Sequence, residues 1–161
     1  MANLDTPKGF AVYGVPKKTI VLEAGSTIAP GEFVRLASDG QLDAVAAGET
    51  ILGLALNYAT VGEDVLVSYD PDQLYVGQAD ETEIDAQTDV GNVFDVVATA
   101  DNTTYKTSRM EIDSSTVSTS DGQLLLLGLE KRPDNAFGGF CDCIVKINEH
   151  QAMGVNAFAG I

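Results

Sequence analysis

Between Thr19 and Val76 the apolar residues come in short runs separated by turn residues. Thr19-Ile20-Val21-Leu22, Phe33-Val34-Arg35-Leu36, Val65-Leu66-Val67-Ser68-Tyr69 and Gln73-Leu74-Tyr75-Val76 each have the length of a strand, and Leu42, Ala44 and Ala46 alternate with their neighbours. Ser38-Asp39-Gly40, Gly62-Glu63-Asp64 and Asp70-Pro71-Asp72 fall between them as breakers, since Gly tolerates positive φ and Pro and Asp favour turns. Ile51-Leu52-Gly53-Leu54-Ala55-Leu56 is apolar at every position, the pattern of a central strand covered on both faces. In the second half, Val90, Val93, Phe94, Val96 and Val97 mark a strand, and Met110 and Ile112 alternate with Glu111 and Asp113 in a half-buried one. The Ser/Thr-rich stretch 114–122 reads as a connection, Leu124 to Leu129 as a buried strand, and Phe140 to Asn148 as the last long strand.

No segment repeats its apolar residues at helical spacing. The pattern therefore predicts an all-β fold, an antiparallel β-barrel or sandwich of short strands, with no helix beyond about two or three turns. Residues 1–20 differ from the rest. Pro7, Gly9, Gly14 and Pro16 interrupt them every few positions, while Phe10, Val12, Tyr13 and Val15 are apolar. They read as an extended N-terminal arm lying on another surface, its own body or a neighbour, and dispensable for folding. Residues 21–161 form the β domain, with sub-lobes 21–79 and 80–161 as an option that the sequence does not force.

The chain has 161 residues, 45% of them hydrophobic, enough for one domain with its own core. A net charge of −15 repels polyanions, so no nucleic-acid partner is expected. The densest acidic group, Asp80, Glu81, Glu83, Asp85 and Asp89, reads as a solvated segment. No basic stretch followed by an apolar run opens the chain, and no apolar run is long enough to span a bilayer, so neither a signal peptide nor a membrane partner is expected. Cys141 and Cys143 lie two apart in a strand, too far for an easy disulfide, and read as reduced, buried small hydrophobes made in a reducing cytoplasm.

Candidate chemistry is sparse. His150 is the only histidine, no hydrolase signature surrounds it or the cysteines, and it reads as a surface or loop residue. The paired spacing of a structural zinc site and the twelve-residue calcium loop are both missing. Gly138-Gly139 lacks the Lys-Ser/Thr of a phosphate loop. The expectation is no enzyme, no cofactor and no metal. Lys17-Lys18 and Lys131-Arg132 stand out as basic pairs in an acidic chain, suited to surface solubility or to docking on an acidic partner.

Three stretches carry a family resemblance. Asp5-Thr6-Pro7-Lys8-Gly9-Phe10, Tyr69-Asp70-Pro71-Asp72-Gln73-Leu74-Tyr75-Val76-Gly77-Gln78-Ala79-Asp80, and Arg132-Pro133-Asp134-Asn135 with Asn148-Glu149-His150-Gln151 resemble, in order, the start, middle and end of capsid decoration (cement) proteins of tailed bacteriophages. The segment after Phe10 is shorter than the arm of that group. The resemblance implies a virion structural protein, made in the host cytoplasm and bound to the outer capsid surface. There it would stabilise the head by clamping neighbouring major capsid subunits through many repeated contacts. Capsid lattices offer threefold points, so a homotrimer is expected, with a dimer across twofold axes as the rival. The candidate contact residues are Phe10, Val12, Tyr13, Lys17, Lys18 and the apolar tail residues Val155, Phe158 and Ile161. Other readings are a different head–tail or tail component, or a small β-barrel carbohydrate-binding module. The absence of Trp counts against the module.

Overall fold

A computed structural model describes residues 3–81, 84 and 86–152. Eleven strands are present: β1 (Ala11–Val12), β2 (Thr19–Glu23), β3 (Phe33–Leu36), β4 (Leu42–Ala44), β5 (Gly53–Ala55), β6 (Asp64–Ser68), β7 (Leu74–Gln78), β8 (Val93–Val97), β9 (Glu111–Ser118), β10 (Leu124–Leu129) and β11 (Asp142–Ile147). The helical content among the described residues is one 3-10 turn, Gln87–Asp89. The strands form two antiparallel sheets, one ordered β1-β7-β11-β10-β8-β9 and the other β2-β6-β5-β3-β4. They do not close into a barrel but lie as a sandwich. The smaller sheet uses residues 19–68, and the larger takes β1 and everything from β7 onward, so the sheets divide the chain before residue 79.

Alternation along the strands explains the two cores. Paired residues Phe33 and Leu54 face the larger sheet and join Tyr75, Phe94, Ile112, Leu124, Leu126 and Val145 in the main cluster. Val34, Leu42, Ala55, Val65 and Val67 point the other way, into a second cluster closed by Ala24, Ile28 and Ala59. The centre of the smaller sheet, at β3 and β5, is thus buried on both faces, which is why Ile51–Leu56 is apolar throughout. Gly53 is required where β5 meets β6, since a Cβ there would lie 2.1 Å from the Ser68 carbonyl oxygen.

Three expectations are corrected. The Ser/Thr-rich stretch is not merely a connection, because β9 runs on to Ser118. Its polar groups are satisfied in place: the Ser114 N–H donates to Asp80 Oδ1 at 2.9 Å and the Asp95 N–H to Thr116 Oγ1 at 2.8 Å. β10 is not wholly buried, since Leu127 points outward at 43% exposure. The first twenty residues are not a separable arm. Phe10 is 4% exposed within the main core, Ala11–Val12 pair with Val76 and Tyr75, and Thr19–Ile20 begin β2. Removing them would open the core and cut a sheet edge.

Candidate functional site

The first motif, the end of the middle one and Arg132–Asn135 of the third, remote in sequence, meet along one seam, while Asn148–Gln151 lies elsewhere, beside Ile51. Asn3 donates from Nδ2 to the carbonyls of Ala136 (2.8 Å) and Gly139 (3.0 Å), and its Oδ1 accepts from the Ala136 N–H at 3.2 Å. Gln78, at the end of β7, donates to Leu4 O at 2.9 Å and Phe140 O at 3.1 Å, and accepts from the Thr6 N–H at 3.0 Å. Asn135, in the turn opened by Pro133, donates to the carbonyls of Glu130 and Asp142, both at 2.8 Å, and accepts from the Asp142 N–H at 3.0 Å. These amides work like extra strand partners, holding irregular backbone that has no ladder of its own. At the centre is the Asp142 carboxylate, with a side chain 2% exposed. The Arg132 guanidinium bonds it directly and also reaches Glu130 and Asp134, both at 2.9 Å, while Lys8 Nζ lies 3.6 Å away. Asn3, Leu4, Thr6, Gln78, Arg132, Asp134, Phe140 and Asp142 line a cavity of about 550 Å³ at this seam.

Past the seam the chain plugs and then rises. The Phe10 N–H donates to Gly31 O at 2.8 Å, and its ring lies 4.5 Å from that of Phe33, which meets Tyr75 edge-on at 5.2 Å. Gly77 leaves room for that ring, as a Cβ there would come within 2.1 Å of it. From Tyr13 to Val21 every residue is exposed. The strip is tied down by backbone: the Tyr13 N–H donates to Leu74 O (2.9 Å), the Lys17 N–H to Gln73 Oε1 (3.0 Å) and the Tyr69 N–H to Lys18 O (3.1 Å). Its side chains face outward, with Val15 at 80% and Val21 at 55% exposure.

The predicted contact residues therefore separate. Phe10 is core and presents no ring to another chain, and Val12 is half-buried in β1. Tyr13, Lys17 and Lys18 stand together on the exposed strip. Val155, Phe158 and Ile161 lie outside the described residues. Asn3, Gln78, Arg132, Asn135 and Asp142, which build the seam, carry no individual signal in the sequence; four of them lie in or beside the three motifs, but no local pattern says that the motifs touch.

His150 is corrected from a surface residue to a buried one, 5% exposed. Residues 149–151 return beside Ile51, whose N–H donates to Glu149 O at 2.9 Å. The imidazole is held as the Nε2–H tautomer: Nε2 donates to Tyr69 O at 2.9 Å, and Nδ1 accepts from the Ala152 N–H at 3.0 Å. Burial lowers its pKa. Cys141 and Cys143 are buried and unbonded, with sulfurs 3.5 Å apart, and the neighbouring Cys141 sulfur together with burial raises the Cys143 pKa well above the ordinary thiol value.

Two buried acids flank the plug. Burial, then a side-chain hydrogen bond with Asp101, pushes Glu32 up to about 8. Burial, then the charges of Asp5 and Asp80, pushes Glu111 up to about 7. Among the described residues, no group of three or more His, Cys, Asp or Glu side chains is placed to hold a metal ion, and no helix is long and apolar enough to cross a membrane. No protein-family model matches the chain, and no curated protein matches it either.

Proposed function

We propose that this chain is a virion structural protein that decorates the outer capsid surface of a tailed bacteriophage and clamps neighbouring major capsid subunits. The observation that carries the proposal is the strip from Tyr13 to Val21, which sets Tyr13, Val15, Lys17 and Lys18 outward on a protein of net charge −15. Anchored by backbone bonds, such a strip loses little conformational entropy on docking, and its two lysines choose an acidic surface. The middle motif supports the same reading: its Gln73 and Leu74 tie down this strip, and its Gln78, at the other end of β7, joins the seam with the first motif and Arg132–Asn135. Weak contacts of this size suffice when repeated over a lattice. A homotrimer at threefold points is the arrangement proposed on the capsid.

The test is binding of purified protein to phage heads that lack it, read by imaging and by the temperature at which heads rupture. Wild-type protein should coat the heads and raise that temperature. Lys17→Glu with Lys18→Glu should weaken coating about tenfold or more. Failure to bind heads, or binding confined to tails, would overturn the proposal.

A further inference from the structure

The two sheets have four edges: β1 and β9 on the larger, β2 and β4 on the smaller. Exposed edges invite pairing with other chains, and folded proteins blunt them by shortness, bulges, charge or a covering segment. Three of these edges are managed. β1 is two residues long. β4 is three residues long, and Ala24 bridges it at Leu42, with the Gly25 N–H donating to Leu42 O at 2.8 Å. β9 carries a register shift against β8 and is covered at Ile112 by Ala79–Asp80. β2 is the exception. It pairs with β6 over five residues without a bulge, and no strand lies on its other side among the described residues. Its far end is capped, since Glu23 accepts from Gln41 Nε2, so the open length is Thr19–Leu22. Along it Ile20 and Val21 are 40% and 55% exposed.

We infer that this edge pairs with the same edge of a second copy, antiparallel about a twofold axis. The Tyr69 N–H donates to Lys18 O and the Ala24 N–H to Glu63 O, so by alternation residues 18, 20, 22 and 24 bond inward to β6. The N–H and C=O groups of Thr19 and Val21 then point outward. A twofold axis at Ile20 satisfies them, setting Thr19 of each copy opposite Val21 of the other and Ile20 against Ile20. That register places Lys17 of one copy opposite Glu23 of the other, twice, so the charges complement each other at both ends. Val21 also pairs with Leu66 on β6, which is 38% exposed, so the contact extends an apolar stripe across both copies. The pairing closes at two copies and occupies part of the strip assigned to capsid docking, but it is read in the free protein without heads, so its failure is distinguishable from failure of the decoration reading.

Sedimentation of the purified full chain over a concentration series tests it. A reversible dimer is expected. Ile20→Lys should weaken it about tenfold or more while the melting temperature shows the fold intact. Lys17→Glu should also weaken it, and Lys17→Glu combined with Glu23→Lys should restore it. Ile20→Cys should crosslink two chains on mild oxidation, and Val117→Cys on β9 should not. A monomer at all concentrations, a trimer, a dimer indifferent to Ile20→Lys, or no rescue by the charge swap would overturn the inference.

Discussion

The N-terminal stretch treats the two sheets in opposite ways. From Asn3 to Val12 it is consumed by the larger sheet: the Asn3 amide pairs the backbone of Ala136 and Gly139, the Gln78 amide pairs that of Leu4 and Thr6, Phe10 fills the core and β1 ends the sheet after two residues. From Thr19 to Glu23 it is offered by the smaller sheet, with Ile20 and Val21 exposed and one side of β2 unpaired among the described residues. The difference teaches where each half spends its polar groups. Buried backbone must be paired within the molecule, whereas backbone at a surface can wait for water or for another chain. A segment that does both is anchored at one end and available at the other.

The sharpest way to break this comparison is to remove the plug. Phe10→Ala should destabilise the protein by about 3–5 kcal/mol, as for other buried aromatics, measured by urea unfolding. Gly77→Ala should cost several-fold less in the Phe10→Ala background than in the wild type, because the added Cβ then meets a void rather than the ring. Next in size is the seam. Arg132→Met leaves the buried Asp142 carboxylate with Lys8 alone, and a loss of about 1–3 kcal/mol is expected from stranding a buried charge whose main partner is itself partly exposed.

A smaller effect follows from pH. Glu32 and Glu111 hold their protons more tightly folded than unfolded, with folded values of about 8 and about 7. Between the ordinary carboxylate value and those values the folded state binds more protons, so stability falls as pH rises through that window, at up to about 1.4 kcal/mol per pH unit for each acid. Glu32→Gln should flatten the decline between neutral pH and pH 8 in melting experiments. His150 has the opposite sign: its lowered value gives stability that is present above its unfolded value and lost as pH falls through the folded one. The smallest effect is expected on the open edge, where Val21→Lys should change folding stability by no more than about 0.5 kcal/mol. A large loss there would mean that β2 is not the available half.

Most of the strands could be read directly from the sequence. Phe33–Leu36 matches β3 end for end, because a four-residue apolar run bounded by turns has few other solutions. The second half of β9 is not legible locally, because Ser and Thr look like a connection until the Asp80 carboxylate and the Asp95 N–H, remote in sequence, bond them. The site was legible only in pieces. Tyr13, Lys17 and Lys18 stand out by type, but Phe10 and Val12 look the same as Tyr13 in a pattern that cannot tell a core plug from a surface patch.

By itself the sequence determined that the chain is all-β, that its strands are short and antiparallel, and that its surface is acidic, since these follow from local periodicity, turn chemistry and charge. The tertiary structure alone decided that the sheets form an open sandwich, that Asn3 meets Ala136, that Asp142 is buried beside Arg132, that His150 is covered and that β2 is left without a neighbour on one side. Each of these is a contact between residues far apart in the chain, and such contacts depend on which faces the sheets bury against each other, which no local window contains.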